Sequence, residues 1–394
     1  MTHARRSSGT EHDLIIIGGG CAGLSLAGRL ASHRSRLSVA VIEARTDYQD
    51  DRSWCFFAPP RHRHDHLVSH RWSRWLVGRE NRALIERQSR RFSYQYIRSL
   101  DFYKAHLSAI ERHPLIELHR GSSVNAIERQ GKGWRIDTNR GSLTAAEVLD
   151  TRPPDRQRLE SSTLLQSFKG VEIDIEQDGQ LEPDCLELMT QLRHDRHGLY
   201  FTYLLPLGPR RALVEATRFS TAPLPEHVLD QDLHRLLVQR GLDRHRLIRQ
   251  EAGCLPMGLP QAENTLPGVV NAGMAGGALR PSSGYAFLRI QAWAASCMAR
   301  LQTGNPLIGQ PRDPRLQSLM DGLFLRVIAD DLALAPALFC QLFERAHPDS
   351  VIRFLGDQAD FGDYLNVIRS LPRTPFLRGL CLSPGRPWSV AGSS

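Results

Sequence analysis

A short apolar segment followed by a glycine-rich turn constrains this chain more than any other feature. Residues 13–17 form an apolar run without helical period, which is typical of a buried parallel strand. The run ends in a G-x-G-x-x-G motif made by Gly18, Gly20 and Gly23, and a helical pattern follows. The first glycine permits a tight turn, the second lets backbone amides approach a pyrophosphate, and the third lets the helix pack on the strand. A second apolar run then ends at Glu43.

Glu43 lies twenty residues beyond Gly23, where a dinucleotide-binding sheet presents an acceptor to ribose hydroxyls. An acid at this position favours FAD or NAD over a cofactor with a 2′-phosphate. Strand, turn, helix, second strand and acid occur in register, so they predict a nucleotide site with the helix N-terminus facing the phosphates. Arg52, in the next loop, is either a partner for a pyrophosphate oxygen or an ordinary surface arginine.

The composition is that of a globular protein. The chain has 394 residues, of which 41% are hydrophobic and 23% charged, enough for two interlocked domains. No apolar stretch is long enough to span a bilayer, and the apolar run after the basic N-terminus is too short for a signal peptide. The seven cysteines include no C-x-x-C pair, so we expect a cytoplasmic protein without a disulfide framework. His62, His64 and His66 alternate in a polar loop, and we expect a solvated segment there and no metal site.

The formal net charge of +8 has three interpretations. It serves anionic cofactors, or an anionic membrane surface, or it is only a solvated basic face. The basic residues are spread along the chain and form no nucleic-acid-binding motif, so we expect no nucleic-acid partner.

The first domain is interrupted, because the chain returns to the nucleotide sheet only near residue 150. Residues 160–255 are mostly strand-like, with one helix closed by Gly241. A second strand–turn–helix pattern follows, with a helix predicted to begin near Gly284, and it offers a second place where backbone amides meet a cofactor. From Leu316 onward the chain has apolar helical stripes, which either pack as core or face a lipid or membrane.

Four segments together resemble the flavin-dependent lycopene cyclases of bacteria. They are D-R-S-W-C-F-F from Asp51, Y-L-L-P-L-G-P-R-R-A-L-V-E-A-T-R-F-S from Tyr203, G-C-L-P-M-G from Gly253, and A-G-G-A-L-R-P-S-S-G-Y-A-F-L-R-I-Q from Ala275. The likeness runs from about residue 12 to residue 382 with the segments in the family's order. Flavin hydroxylases usually carry an Asp where this chain has Met274, and the cyclases likewise lack that acid.

The resemblance implies an α/β fold with a glutathione-reductase-like, FAD-binding parallel sheet, a β-rich substrate domain and a helical C-terminal cap. The expected boundaries are 12–60, 100–155 and 265–300 for a discontinuous FAD domain, 61–99 and 156–264 for the substrate domain, and 301–394 for the helical region. The residues expected to hold the adenosine diphosphate half of FAD are Gly18, Gly20, Gly23, Glu43 and Arg52. Those expected to hold the flavin half are Gly273, Gly276 and Gly277.

The resemblance also implies a redox-neutral, acid-catalysed reaction that closes the end groups of lycopene to β-rings, through γ-carotene to β-carotene. The flavin acts reduced, with NADPH as the source of its electrons. Protonation of a terminal double bond gives a carbocation, the neighbouring double bond attacks it, and loss of a proton ends the step. This chemistry needs a buried acid, whose pKa burial raises, and a site without water. Because the substrate is apolar, we expect peripheral attachment to the inner face of the cell membrane.

Glu215 is the proton donor that the resemblance implies. In the family the matching glutamate is followed by a second acid, as E-D-T or E-E-T, whereas this chain has Ala216. If the second acid only tunes the pKa of the glutamate, the enzyme works with an altered pH dependence. If the second acid is the donor, this chain is weak or inactive. Without the resemblance, Glu215 is equally a sheet-edge residue or a partner of Arg211 or Arg218.

Glu172 and Asp174 fall on one face of a predicted strand and are reserve candidates for the donor. Two other functions stay open at this point. One is a flavin- and carotenoid-binding protein that has lost catalysis, which Ala216 suggests. The other is an FAD-dependent isoprenoid reductase or aromatic hydroxylase on the same fold.

Overall fold

The computed structural model describes residues 11–176, 179–260 and 266–381. Its strands are β1 (His12–Ile17), β2 (Val39–Glu43), β3 (Ser53–Ala58), β4 (His70–Trp72), β5 (Arg74–Arg79), β6 (Ile85–Gln88), β7 (Ser93–Arg98), β8 (Ile116–Arg120), β9 (Val124–Gln130), β10 (Gly133–Thr138), β11 (Gly141–Asp150), β12 (Leu164–Ile175), β13 (Cys185–Asp195), β14 (Gly198–Pro206), β15 (Arg211–Ser220), β16 (His245–Met257) and β17 (Val270–Asn271). Its α-helices are α1 (Cys21–Ser32), α2 (Ser99–Glu111), α3 (Arg156–Glu160), α4 (Glu226–Gln239), α5 (Phe287–Gln302), α6 (Arg315–Asp330), α7 (Ala335–Arg345), α8 (Pro348–Leu355), α9 (Phe361–Ser370) and α10 (Arg373–Cys381).

The first sheet has the parallel core that the nucleotide motif predicts. Its order is β8-β2-β1-β11, and β17 pairs in parallel with the end of β11. The antiparallel strands β10 and β9 continue the sheet beyond the start of β11. Ile17 pairs with both Ile42 and Asp150, so β1, β2 and β11 end at the same edge. The chain returns to this sheet at β8, earlier than the strand near residue 150 that the sequence indicated, and β11 then ends beside β1 at Asp150. The α/β prediction is confirmed.

The second sheet is large and mostly antiparallel, with the order β16-β12-β15-β14-β13-β5-β6. Strands β12 and β14–β16 alternate between two packed faces because side chains of a strand point to opposite sides in turn. One face packs against α4 through Leu233, Leu236 and Leu237. The other face packs against α6–α9 in the largest hydrophobic cluster of the described residues. The helix predicted before Gly241 is α4, and Gly241 follows it with φ of +65°.

A third sheet, β3-β7-β4, lies between the other two. Phe57 of β3 belongs to the hydrophobic cluster of the substrate sheet. Its neighbour Phe56 belongs to the nucleotide-domain cluster and stacks on Phe287, with 5.2 Å between ring centroids. Strand β3 falls in the predicted FAD domain, whereas β7 and β4 fall in the predicted substrate domain. This sheet therefore crosses the predicted boundary at residue 60, because its two faces pack against different domains.

The C-terminal region is helical from α6 to α10, as the apolar stripes predicted. An ion pair between Arg280 and Asp321, both fully buried, connects the second glycine-rich turn to α6. Helix α5 begins at Phe287 and not near Gly284, because Gly284 has φ of +72° and its amide closes a turn onto the Arg280 carbonyl. Within the described ranges, no helix is both long and apolar enough to cross a membrane.

Candidate active site

The first glycine-rich turn forms an open cradle at the N-terminus of α1. Gly18 has φ of +98°, which favours glycine. A Cβ atom on Gly23 would lie 2.0 Å from the Gly18 carbonyl oxygen, so only glycine lets α1 pack this closely on the turn. A Cβ atom on Gly20, in contrast, would meet no other atom within 4 Å. The backbone at Gly20 therefore faces open space at a helix N-terminus, which fits a pyrophosphate.

Glu43 lies at the end of β2 beside this cradle. Its carboxylate accepts hydrogen bonds from the Gly19 amide at 2.8 Å and from the backbone amide of Arg45 at 2.8 Å. Burial opposes ionisation of Glu43, but the hydrogen bonds from Arg45 prevail and lower the pKa of this carboxyl. Glu43 is thus an ionised acceptor, as a ribose hydroxyl requires. Arg45, which the sequence did not single out, also donates to the Gly19 carbonyl at 3.1 Å.

Arg52 makes no hydrogen bond or ion pair with the cradle among the described residues, although its charge acts on the Cys21 thiol at the start of α1 and partly offsets the rise in pKa that burial causes there. Its guanidinium is exposed and pairs with Asp51 at 2.8 Å. Its predicted role with a pyrophosphate oxygen stays a prediction.

The second glycine-rich turn lies against the first. Gly273 has φ of +71°, and a Cβ atom there would lie 3.2 Å from the Cβ of Ala22, in the first turn of α1. A Cβ atom on Gly276 would lie 2.5 Å from the Cα of Ala272, so this turn tolerates no side chain at that position. Gly277 has φ of +91° and faces open space. The two turns that were predicted to hold the two halves of FAD are therefore adjacent, and they fit that cofactor.

Glu215 lies on β15, on the face of the substrate sheet that packs against the cap helices. It pairs with Gly170 of β12 on one side and with Tyr203 of β14 on the other. Its side chain is only partly accessible. Burial raises the pKa of Glu215 well above the ordinary range. The hydrogen bond that protonated Glu215 donates to Glu251 and the negative charge of Glu251 raise it further, while Arg249 opposes these effects. Glu215 therefore keeps its proton to a higher pH than an ordinary glutamate does.

Three tyrosines and a cysteine surround this carboxyl. Glu215 raises the pKa values of Tyr203, Tyr94 and Cys55 by its charge, in addition to the larger effect of burial. Tyr285, from the loop before α5, hydrogen-bonds to Tyr94. The segment D-R-S-W-C-F-F thus reaches the proposed donor through Cys55, although the two lie far apart in the chain.

Glu172 and Asp174 are both engaged in ion pairs. Glu172 is fully buried and accepts hydrogen bonds from Arg211 and, at 2.6 Å, from Arg249. Asp174 accepts from Arg246 at 2.7 Å, and this bond lowers the pKa of Asp174. Carboxylates bound to guanidinium groups do not hold a proton near neutrality, so the structure argues against a donor role for either residue.

Neither predicted arginine partner of Glu215 pairs with it. Arg211 binds Glu172, and Arg218 lies on the opposite face of the sheet, where it binds Asp232 and Asp195. Ala216 is fully buried on that same opposite face, in the hydrophobic cluster beneath α4. Successive side chains of a strand point to opposite faces of the sheet, so a second acid at position 216 would point away from Glu215 in this fold.

Glu251 is the site residue that the sequence analysis missed. It lies on β16, is 4% exposed, and pairs with Gly170 from the side opposite to Glu215. Its signal in the sequence was weak. Glu251 lies two residues before the G-C-L-P-M-G segment and two residues after Arg249, so the two share one face of a strand. Its partner Glu215, however, is 36 positions away in the chain.

A cavity of about 440 Å³ lies between the substrate sheet and the cap helices. Phe201, Tyr203 and Phe219 form its sheet side, and Leu323, Phe324 and Phe339 are among the residues on its helical side. Glu215 itself is not one of the residues that line the cavity, but Tyr203, its register neighbour on β14, is. The side chains that line this cavity toward solvent are Leu316, Leu319, Ile368 and Leu377, which are 44–58% exposed. Among the residues described, no cluster of three or more His, Cys, Asp or Glu side chains is arranged to hold a metal ion.

The cradle geometry gives a prediction that separates cofactor binding from folding. Gly20→Ala adds a methyl group where the protein has open space, so we expect the apoprotein to keep its stability while FAD binds about tenfold or more weakly. That loss equals about 1.4 kcal/mol. Gly23→Ala forces a clash with Gly18, so we expect it to lower the free energy of unfolding by about 1–3 kcal/mol as well. FAD titration by fluorescence and urea unfolding of the apoproteins measure the two effects. Equal FAD affinity in Gly20→Ala and the wild type would contradict the cradle.

The chain was compared with known families, sequences and structures. The family model described as lycopene cyclase protein matches residues 13–380. A lycopene beta-cyclase from a Paracoccus species is 28% identical over 397 aligned positions, which cover 95% of this chain and 98% of that protein.

Solved structures share the fold at low sequence identity. A flavoprotein/dehydrogenase from Cytophaga hutchinsonii aligns with a TM-score of 0.61 and 14% identity, covering 94% of this chain and 99% of that one. A halogenase solved in complex with FAD aligns with a TM-score of 0.54 and 13% identity, covering 90% and 78%. These likenesses confirm the FAD-binding flavoprotein fold. The family match confirms the resemblance drawn from the motifs, and the chain belongs to the lycopene cyclase protein family.

Proposed function

We propose that this protein is a lycopene β-cyclase that closes the end groups of lycopene to β-rings without net redox change, with Glu215 as the proton donor. One observation carries the assignment of the donor. Glu215 is a carboxyl whose pKa is raised by burial and by Glu251, and its register neighbour Tyr203 lines an apolar cavity. Family membership supplies the substrate class, and an apolar cavity is what a hydrocarbon substrate needs.

Glu215 both donates the proton that starts the reaction and accepts the proton that is lost at its end. The carboxyl gives its proton to the terminal double bond of the polyene, which leaves a carbocation and a carboxylate. The neighbouring double bond supplies the electron pair for the new carbon–carbon bond and carries the positive charge into the ring. Loss of a ring proton to the carboxylate then forms the β-ring double bond and restores the acid. A carboxyl with a raised pKa serves both steps, because it is an acid at neutral pH and a base once ionised.

The residues around Glu215 protect and stabilise the cation. The rings of Tyr203 and Tyr285 offer electron-rich faces within the cavity wall. The cavity wall is largely aliphatic and aromatic, so water that would trap the cation as an alcohol is kept out. FAD, held by the two glycine-rich turns and reduced by NADPH, would supply a further electron-rich surface without consumption of its electrons.

The structure also bears on the hypothesis of a catalytically inactive carotenoid-binding protein. That hypothesis rested on Ala216, which replaces the second acid of the family's motif. Position 216 faces away from Glu215, and a different acid, Glu251, lies beside Glu215. The alanine at position 216 is therefore no reason to expect a loss of catalysis.

Glu215→Gln tests the donor directly. Glutamine keeps the shape of the side chain but has no acidic proton, so we expect FAD content to be unchanged and the rate of ring closure to fall about 100-fold or more. Anaerobic assays with lycopene in liposomes, followed by chromatographic separation of the pigments, measure this rate. Glu128→Gln, an exposed position on β9, is the matched control and should behave as the wild type. Full activity in Glu215→Gln would remove Glu215 from the mechanism.

The raised pKa of Glu215 also predicts a pH dependence of stability. Between the pKa of a glutamate in the unfolded chain and the raised pKa of Glu215, the native state keeps a proton that the unfolded state has lost. The free energy of unfolding therefore falls as pH rises through this window, by up to about 1.4 kcal/mol per pH unit. Urea unfolding at several pH values should show this slope in the wild type and a shallower one in Glu215→Gln. An identical slope in both proteins would show that Glu215 ionises normally.

We further propose that the protein binds the membrane surface through the mouth of the cavity. We define the mouth as Leu316 and Leu319 of α6, Ile368 of α9 and Leu377 of α10. These four exposed apolar residues line the cavity, and exposed Arg369, Arg373 and Arg378 lie beside them in sequence. Apolar side chains rimmed by cations suit an interface with anionic lipid, from which a polyene enters without crossing water.

Substitution of the four mouth residues by Ser is expected to weaken binding to anionic vesicles about tenfold or more, since each loses apolar surface that lipid would cover. Co-sedimentation with vesicles measures the binding. Val238→Ser combined with Leu247→Ser removes two apolar side chains that are each 50% exposed but lie elsewhere, and this control should bind normally. Equal loss in the control and the mouth variant would contradict docking at the mouth.

A further inference from the structure

Two carboxyl groups meet across a strand that lies between them. Gly170 of β12 pairs with Glu215 on one side and with Glu251 on the other, so the two glutamates belong to strands that are not neighbours. Neighbouring strands lie about 4.8 Å apart, which places β15 and β16 about twice that distance from each other. A Cβ atom on Gly170 would lie 2.5 Å from the Cγ of Glu215. The bare backbone of Gly170 is therefore what lets the Glu215 side chain extend over β12 to its hydrogen bond with Glu251.

Glu251 is fixed from its other side. Its Oε2 atom accepts a hydrogen bond from the Ser53 hydroxyl at 2.9 Å and another from Nη1 of Arg249 at 2.7 Å. Arg249 also donates to the Ser53 hydroxyl at 2.7 Å and to the Tyr96 hydroxyl at 2.8 Å. Its partners on this side are a cation and a hydroxyl that both donate to it, so Glu251 serves there as a hydrogen-bond acceptor.

The charges of the cluster balance only when Glu215 is neutral. Arg98, Arg211 and Arg249 carry three positive charges. Asp50, Glu172 and Glu251 carry three negative charges. Ionisation of Glu215 would add another buried negative charge beside Glu251 without a further cation. The other groups that face Glu215 are uncharged near neutrality. They are Tyr203 from β14, Cys55 from β3 and Tyr94 from β7. Tyr285, from the loop before α5, lies behind them and interacts with Cys55 and Tyr94.

We propose that Glu251 is the positioning residue of the proton donor: it accepts the hydrogen bond of Glu215 across Gly170, keeps the proton on that residue and fixes its orientation beside the cavity. This inference rests on the proposed cyclisation. It assigns to a residue of β16 the supporting role that the adjacent acid of the family's motif was expected to play. Neither glutamate is among the residues that line the cavity, and Glu251 acts only through Glu215.

Glu251→Gln is the first test. The amide keeps the size of the side chain but removes the negative charge, so Arg249 is left to stabilise ionised Glu215. The rate depends on protonated Glu215 and falls as pH rises through its pKa. We therefore expect the alkaline fall of kcat to move to lower pH by about one unit or more, which is about a tenfold loss of rate on that limb. At lower pH the rate should recover, with FAD content and KM for lycopene unchanged.

Three further variants make the result decisive. Glu251→Asp keeps the charge and should restore part of the wild-type pH profile. Gly170→Ala removes no charge but fills the space under Glu215, so it should lower kcat without loss of bound FAD. Glu187→Gln changes a buried, ion-paired glutamate on β13 of the same sheet, and its pH profile should match the wild type.

The failure of this inference is distinguishable from failure of the proposed function. A wild-type protein that forms no cyclised product would overturn the function itself. A different result would overturn only the role of Glu251: an active wild type, an inactive Glu215→Gln variant, and a Glu251→Gln variant that keeps the wild-type pH profile. A loss of kcat in Glu251→Gln that is equal at every pH, and is not restored by Glu251→Asp, would likewise reduce Glu251 to a structural residue.

Discussion

The proposed chemistry depends on keeping a proton on one carboxyl in a place with little water. A carboxyl in solution ionises far below neutrality, and an ionised Glu215 has nothing to give to a double bond. Burial and the neighbouring Glu251 carboxylate both raise its pKa, and they prevail over the opposing charge of Arg249. Much of the surrounding structure supports this one condition, from the paired arginines to the apolar cavity.

Each of the three sheets has a different role in forming the proposed site. The parallel sheet presents two glycine-rich turns at the N-terminus of α1, and the substrate sheet carries Glu215 and Glu251. The small sheet β3-β7-β4 connects them, because alternate residues of β3 pack on different domains. Ser53 donates a hydrogen bond to Glu251, Cys55 lies beside Glu215, and Phe56 between them stacks on Phe287 of the flavin-binding side. One short strand thus joins the cofactor domain to the proposed acid.

Local sequence patterns predicted much of this architecture. Pairings between strands that are distant in the chain could not be predicted from such patterns. Gly18, Gly20, Gly23 and Glu43 could be assigned because a nucleotide turn is encoded within about 30 residues. The partnership of Glu215 and Glu251 depends on the register of β12 with two other strands, and it requires a glycine at the shared position. The apolar stripes of the cap were predicted either as core or as lipid-facing. The structure contains buried and exposed positions within one stripe, since Leu325 is buried whereas Leu316 and Leu319 are exposed.

The most direct test of the central claim is the origin of the hydrogen that ring closure adds. Purified protein with reduced FAD and lycopene in liposomes would be incubated without oxygen in deuterated buffer, and products would be examined by mass spectrometry while NADPH is followed by absorbance. Proton donation by an exchangeable carboxyl predicts one solvent deuterium in each β-ring and NADPH oxidation that does not rise with product. A product that carries hydrogen from NADPH, with NADPH consumed in step with ring formation, would contradict the account.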